Sequence, residues 1–223
     1  MLAGPTVEAG RALLGSVLVR DDATGPRVGR IVEVEAYIGE ADQASHARFG
    51  RTARNRVMFG PPGHAYVYLV YGMHACLNVV TEPDDVPAAL LIRAVEPLDG
   101  LERMRADRVA RAGANRRVTP TDRAAADAAG RIAGLADHRL ASGPGLVAAS
   151  FGLDTTWTGA DLCDPASPLR LELAPPAGGG LPSEHIRATP RIGIGYAGEP
   201  WTSRPWRLCL AGHPSVSGPP GAR

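Results

Sequence analysis

Residues 29–39 read GRIVEVEAYIG, in which Ile31, Glu33, Glu35 and Tyr37 alternate with Val32, Val34 and Ala36. A period of two sends successive side chains to opposite faces of a strand, so this run predicts a strand with two carboxylates on one face. Upstream, RALLGSVLVR predicts a short helical end entering a strand, and DDATGPR a turn. Residues 40–63 show no clean period and read as a long loop that can hold one short helix, too long for mere connection. The stretch YVYLVYGMHACLN, residues 66–78, alternates again. Tyr66 and Tyr68 share one face, Tyr71 falls on the other, and Gly72 permits a turn, which predicts a hairpin over 66–81 with an aromatic tip.

After the turn EPDDVP, AALLIRAVEPLDG predicts another strand. Residues 100 to about 140 are rich in Arg and Ala and helical in propensity, interrupted at GANRRVTPTD, which reads as a mobile loop. SGPGLVAASFGLD predicts a turn entering a helix. RIGIGYAGEP through WRLCLAGHPSVS predicts short strands, and the last residues, from about 217 to 223, a flexible tail. Antiparallel strands with helices segregated between them imply an α+β fold.

At 223 residues the chain suits one domain, 1–223, better than two small ones. No run approaches the ~18 apolar residues of a membrane span, and MLAGPTVEAG lacks the pattern of a secretory leader, so a cytoplasmic location without membrane contact is expected. The net charge of +1 excludes little, but all 24 basic residues are arginine. Chemistry that needs a lysine amine, whether Schiff base, P-loop or kinase type, is therefore excluded. Cys76, Cys163 and Cys209 form no C-x-x-C pair and read as buried thiols rather than a disulfide framework or zinc ribbon. His64, His74, His138, His185 and His213 have no ligand spacing, so no metal is expected. The glycines of RIGIGYAG fit no dinucleotide fingerprint, since the third is misplaced and no βαβ unit surrounds them.

Three features carry candidate chemistry. Glu33 and Glu35 stand at i and i+2, about 6.5–7 Å apart at Cα, a spacing open to an acid/base pair or to one structural ion pair. The flanking apolar residues make a buried carboxylate the expectation, and a buried carboxylate needs a partner or a function. The loop SHARFGRTARNR sets Arg48, Arg51, Arg54 and Arg56 within nine residues, beside His46 and Asn55. Guanidinium forks suit phosphate oxygens, although a solvated charge run looks the same in isolation. An aromatic tip beside an arginine loop adds weight, because minor-groove binders insert apolar wedges while basic groups hold the backbone. Asn78 and Arg93 are single polar residues in apolar strands.

The ordered blocks GRIVEVEAYIG, SHARFGRTARNRVMF, AYVYLVYGMHACLN, LLIRAVEPLDG, SGPG and RIGIGYAGE together resemble the alkyladenine DNA glycosylase family, the 3-methyladenine DNA glycosylases of the mammalian and bacterial type. The resemblance runs from near residue 11 to about Val216. It implies a mixed domain on a curved, mainly antiparallel, open barrel-like sheet with peripheral helices and a protruding hairpin. By the same resemblance, Glu35 matches the general base that activates water, and Arg93 the arginine that helps hold water and carboxylate. Tyr37, His46 and Tyr68 match the walls of the pocket for the flipped base, and Asn78 the side chain that disfavours guanine. Tyr71 matches the residue inserted into the duplex, with Met73 and His74 completing the hairpin tip; from the arginine loop itself, Arg51 and Arg54 are the candidate DNA contacts. The implied partner is double-stranded DNA with damaged purines, bound by a monomer without cofactor and, in a bacterium, at the nucleoid.

The physical logic agrees: a base removed by hydrolysis must leave the stack, and something must fill the gap. Without lysine the expected enzyme is monofunctional and leaves an abasic site, with 3-methyladenine and 7-methylguanine as substrates and hypoxanthine and ethenoadenine left open. The sequence departs from the family at Leu146, where a basic residue is usual, and at Tyr196, where the family has histidine. Two alternatives remain at this stage: a nucleoside N-glycoside hydrolase using Glu33 and Glu35 as acid and base, and a non-catalytic binder of distorted DNA.

Overall fold

The computed structural model describes residues 1–114, 122–172 and 183–218. Its described elements are, in order, α1 (Thr6–Leu13), β1 (Val17–Arg20), β2 (Arg27–Ile38), β3 (Ala65–Val70), β4 (His74–Val80), β5 (Ala88–Asp99), α2 (Leu101–Ala114), α3 (Asp122–Ala133), α4 (Pro144–Ser150), β6 (Leu169–Glu172), β7 (Ile186–Thr189) and β8 (Arg207–Leu210). All eight described strands join one sheet of order β3-β4-β5-β2-β1-β6, with β8 pairing both β2 and β7. Every pair is antiparallel. The fold is α+β with an unclosed, curved sheet.

The curvature has a local cause in β2. Its first residues pair with β1, from Arg27↔Arg20 to Arg30↔Val17, whereas Glu33, Val34 and Glu35 pair with Cys209, Leu208 and Arg207 of β8. Where the partner changes, the ladder to β5 shifts register on both sides of Glu33. A bulge bends its strand and resets which face each side chain takes. Ile31 therefore joins Val34 and Ala36 in the main core, while Val32 packs with Ala94, Cys209 and Val216 in a separate cluster. The strict alternation read from the sequence puts Ile31 on the carboxylate face, and the bulge corrects that.

The main core lies between the sheet and α1, α2 and α4, built from side chains such as Leu13, Val34, Leu77, Leu90, Ile92, Met104 and Phe151. α1 presents Thr6, Ala9, Gly10 and Leu13 inward, the spacing of one helical stripe. Glu82, in the turn after β4, accepts from the Thr6 amide at 2.7 Å and satisfies an orphan donor at the helix start. Gly10 allows close approach to the sheet, since a Cβ there would meet Leu208 and Leu90 methyl groups at 3.1 Å.

On the opposite face, residues 39–64 form a long loop with two 3₁₀ turns, His46–Phe49 and Arg56–Phe59. Buried Asn55 pins it: its Nδ2 donates to His46 O and Gly50 O, and its Oδ1 accepts from the amide and hydroxyl of Thr52. Such a satisfied amide fixes a loop that lacks hydrophobic periodicity.

Several expectations need correction. RIGIGYAGEP is not strand: it runs through bends into a 3₁₀ turn at Gly195–Ala197, with Gly193 at φ 78° breaking extension. The strands of this region are β7, before it, and β8, after it. Cys163 is exposed, unlike Cys76 and Cys209. Ser217, at the expected start of the tail, is buried, and residues 219–223 lie outside the described residues. The expected mobile loop at GANRRVTPTD falls largely on 115–121, also outside them, while Gly113 and Ala114 continue α2 and Asp122 opens α3.

Candidate active site

Glu33, Glu35 and Tyr37 leave β2 on the face away from the main core, and Arg93 leaves β5 beside them. Both carboxylates are fully buried, so their partners decide what they can do. Arg93 forks between them, donating from Nε to Glu33 at 3.0 Å and from Nη1 to Glu35 at 3.2 Å. Glu33 is otherwise saturated: its Oε1 also accepts from Arg207 Nε at 2.6 Å and Ser217 Oγ at 3.0 Å, and its Oε2 from the Ser217 amide at 2.7 Å. Glu35 is held more lightly. Its Oε2 accepts from Arg93 and from the Tyr37 hydroxyl at 2.9 Å, and its Oε1 accepts the Ile192 amide at 2.7 Å. Among the described residues that is the one bond to Oε1, which leaves a lone pair for a further donor.

Above Glu35 opens a cleft of about 380 Å³ whose walls include Tyr37, His46, Tyr68, Tyr71, Arg93 and Ile192. This is within the usual size of small-ligand sites. At its floor a niche of about 20 Å³, room for about one water, is bounded by Tyr37, His46, Tyr66, Tyr68 and Asn78. Glu35 itself is covered, but all three groups that hold its oxygens line the cleft.

The walls are aromatic and packed against one another. The Tyr66 and Tyr68 rings lie side by side, 5.4 Å between centroids, and the His46 ring meets Tyr68 edge-on at 4.4 Å. His46 Nδ1 and the Tyr66 hydroxyl are 2.8 Å apart. Burial, with Arg54 and Arg48 nearby, pulls the His46 pKa down to about 4, so the ring is neutral near pH 7. Burial pushes Tyr66 up to about 12 and raises Tyr68 further, which keeps both as phenols. Tyr37 is raised well above the ordinary phenol value by burial and then by the Glu35 charge, so it remains a donor to that carboxylate. Burial opposes the charge on Arg93, but Glu35 and Glu33 together outweigh it and raise its pKa. Asn78 donates from Nδ2 to Tyr66 O and Cys76 O, so Oδ1 is the atom it can present to the niche.

The hairpin tip stands at the cleft mouth. Tyr71 is 87% exposed and sits at φ 52°, with Gly72 at φ 69°, and the Met73 amide closes the turn onto Val70 O at 3.0 Å. Met73 is exposed on the same tip. His74 and Tyr71 border a second, apolar cleft of about 340 Å³ formed with Leu146 and the start of α4. Leu69, Ile192 and Tyr196, all exposed, join Tyr71 around the mouth of the main cleft. Arg54 lines it too, donating to Leu69 O at 3.2 Å, whereas Arg51 lies away from it, ion-paired with Asp85 and stacked 4.6 Å over Phe59.

Sequence reasoning missed the support behind Tyr37. Asp42 and Arg191, both fully buried at their side chains, pair at 2.6 and 2.9 Å, and Arg191 directly precedes the Ile192 amide that holds Glu35. The RIGIGYAG block was the available signal for Arg191; nothing local marked Asp42. Among the described residues no group of three or more His, Cys, Asp or Glu could hold a metal ion, and no helix is long and apolar enough to cross a membrane.

A family profile described as methylpurine-DNA glycosylase (MPG) matches residues 1–214. The chain belongs to the methylpurine-DNA glycosylase family. A Methanocella arvoryzae protein provisionally named a 3-methyladenine DNA glycosylase is 46% identical over 213 residues, covering 96% of this chain and 91% of its own. Proteins of the same provisional name from Anaeromyxobacter dehalogenans and Myxococcus xanthus are 43% and 41% identical, covering 94% and 99% of this chain and 80% and 94% of theirs. Family membership makes the protein a DNA glycosylase, a hydrolase of N-glycosyl bonds whose substrate is DNA.

Proposed function

We propose that the protein removes alkylated purines, 3-methyladenine and 7-methylguanine among them, from duplex DNA as a monofunctional glycosylase. The observation that carries this reading is the Glu35 carboxylate, held by Arg93, Tyr37 and the Ile192 amide directly behind an aromatic cleft of about 380 Å³. The damaged nucleotide rotates out of the stack into the cleft, Tyr71 fills the gap it leaves, and Tyr37 faces the base opposite His46 and Tyr68. Alkylation at N3 or N7 makes the purine cationic, which suits aromatic walls and a neutral His46 and makes it a good leaving group. Water adds its oxygen to C1′ and gives a proton to Glu35 Oε1 as the C1′–N bond breaks; the bond electrons leave with the base, which departs neutral. Glu35 is buried, and its Oε1 keeps one lone pair beside the Ile192 amide for the water. Asn78 Oδ1 meets the purine edge that bears the 2-amino group of guanine. With no lysine in the chain, the N-terminal amine is the one amine left for a Schiff-base route to strand cleavage, and it lies outside every block that forms the site. On this reading the chain is one domain, acts as a monomer and works at the nucleoid of the cytoplasm.

The test is release of 7-methylguanine or 3-methyladenine from duplex DNA by the wild type and by Glu35→Gln, with the product examined for strand breaks before and after alkali. Release by the wild type alone, with breaks only after alkali, is expected. Lesion binding without release by either protein would leave a non-catalytic binder, and breaks without alkali would refute the monofunctional assignment.

A further inference from the structure

Tyr37 has a second neighbour besides Glu35. The Arg191 guanidinium lies over the Tyr37 ring, 4.7 Å from its centroid, and over the Trp206 ring, 5.0 Å from its centroid. Arg191 does not line the cleft, so it backs the Tyr37 ring rather than competing for its open face. Its Nη atoms are spent on Asp42 and on Ala36 O, at 2.6, 2.9 and 2.9 Å, and its buried Nε has no acceptor among the described residues. Asp42 is likewise consumed: besides Arg191 it accepts the Ile38 amide at 3.2 Å and the Ala44 amide at 3.0 Å. The pair therefore ties the end of β2, the start of the 39–64 loop and the 191–196 loop at one point. One residue along the chain, the Ile192 amide reaches Glu35 Oε1 at 2.7 Å.

We infer that Arg191, fixed by Asp42, is a positioning residue for the hydrolytic step: it sets the Tyr37 ring against the base and seats the Ile192 amide on Glu35. The inference rests on the assignment of Glu35 as general base. Two features make a purely space-filling role insufficient. A buried ion pair gives little net stability compared with apolar packing, so its geometry needs another account. The planar guanidinium also meets two requirements that no apolar side chain meets together, a bidentate carboxylate and two ring faces.

The experiment uses the full chain with a duplex carrying a single 7-methylguanine, and compares Arg191→Lys, Asp42→Asn and Glu35→Gln with the wild type. Duplex affinity and the single-turnover release rate at saturating enzyme are measured separately, with circular dichroism to verify folding. Misplacing reacting groups by about 1 Å costs on the order of 100-fold in rate, so Arg191→Lys and Asp42→Asn should lose roughly 10- to 100-fold in the saturated rate constant while affinity changes little. A merely structural role would lower the amplitude, the fraction of active enzyme, and leave the rate constant alone; that result overturns the inference. Unchanged rates in both variants overturn it as well. Asp42→Asn keeps the shape of the pair and carries the measurement if Arg191→Lys does not fold. Glu35→Gln separates the two ideas: an inactive Glu35→Gln with fully active Arg191→Lys and Asp42→Asn removes only the positioning role, whereas an active Glu35→Gln removes the base assignment and this inference with it.

Discussion

Replacing Tyr71 with glycine should leave the protein as stable as before and make it a poor enzyme on duplex DNA. Tyr71 is 87% exposed, so its side chain contributes little burial, and it holds φ 52°. A non-glycine residue in that left-handed region costs roughly 1–2 kcal/mol. Glycine relieves that strain but loses about 0.5–1 kcal/mol more in backbone entropy on folding. The two nearly cancel, leaving a change of about 1 kcal/mol at most, or a Tm shift under about 4 °C for a chain of this size. Tyr71→Ala keeps the strained backbone without the ring and should be the less stable of the two variants. The functional effect is separate. One aromatic ring stacked on bases is worth about 1–3 kcal/mol, roughly 5- to 150-fold. The loss should appear in single-turnover release of 7-methylguanine from duplex and be much smaller from a single strand of the same sequence, where no gap needs filling. Equal losses on both substrates, or a Tm fall beyond about 10 °C, would refute the wedge and the account of its strain.

Further outcomes can be checked in the same preparations. Glu33→Gln removes the negative charge shared by Arg93 and Arg207; breaking such a buried arrangement costs about 3–5 kcal/mol, so a Tm drop of about 10 °C is expected, and lost activity with unchanged Tm would instead revive Glu33 as an acid. Asn78→Ser should relax discrimination against guanine-derived bases, read as release of guanine relative to 7-methylguanine; unchanged selectivity removes that role. His46 has a folded pKa of about 4 against about 6.5 unfolded. The unfolded chain therefore takes up the proton first as pH falls, and stability is complete above about 6.5 and declines down to about 4. Discounted for partial exposure, the decline is about 1 kcal/mol; urea midpoints at pH 7 and pH 4 should show it in the wild type and not in His46→Gln.

The sequence made the strands around the site legible because their side chains obey a period of two. Glu35 and Tyr37 share a face and are hydrogen-bonded, and Tyr66 and Tyr68 stand together as their spacing required. Legibility ended where long-range contacts set the structure. Ile31 changes sides because a bulge forms where β2 exchanges β1 for β8, a feature of three strands rather than one. The RIGIGYAGEP segment imitates a strand by placing Ile192 and Ile194 two apart, yet Gly193 turns left-handed, so Ile192 reaches the cleft mouth at 39% exposure while Ile194 is buried. Arg191 opens the RIGIGYAG block, but its pairing with Asp42, 149 residues away, leaves no local pattern. Cys163 shows the limit of composition, which favours burial for a free thiol but cannot place one in a surface loop.

The two glutamates of β2 show how one spacing yields two roles. Residues i and i+2 reach the same side of the sheet, close enough for one guanidinium to bridge them, and Arg93 does so with its Nε on Glu33 and its Nη1 on Glu35. The bulge at Glu33 then separates their fates. Glu33 turns toward Arg207 and the buried C-terminal segment at Ser217, where its oxygens are saturated; Glu35 remains in regular register with Leu91 and Arg207, under the cleft, with a lone pair to spare. A planar guanidinium fixed at one edge cannot rotate freely at the other. Glu33 therefore orients the Arg93 face that meets Glu35 and the cleft, and a pair that resembles an acid and a base in sequence is, in three dimensions, a saturated anchor and a less fully bonded carboxylate covered beneath the cleft.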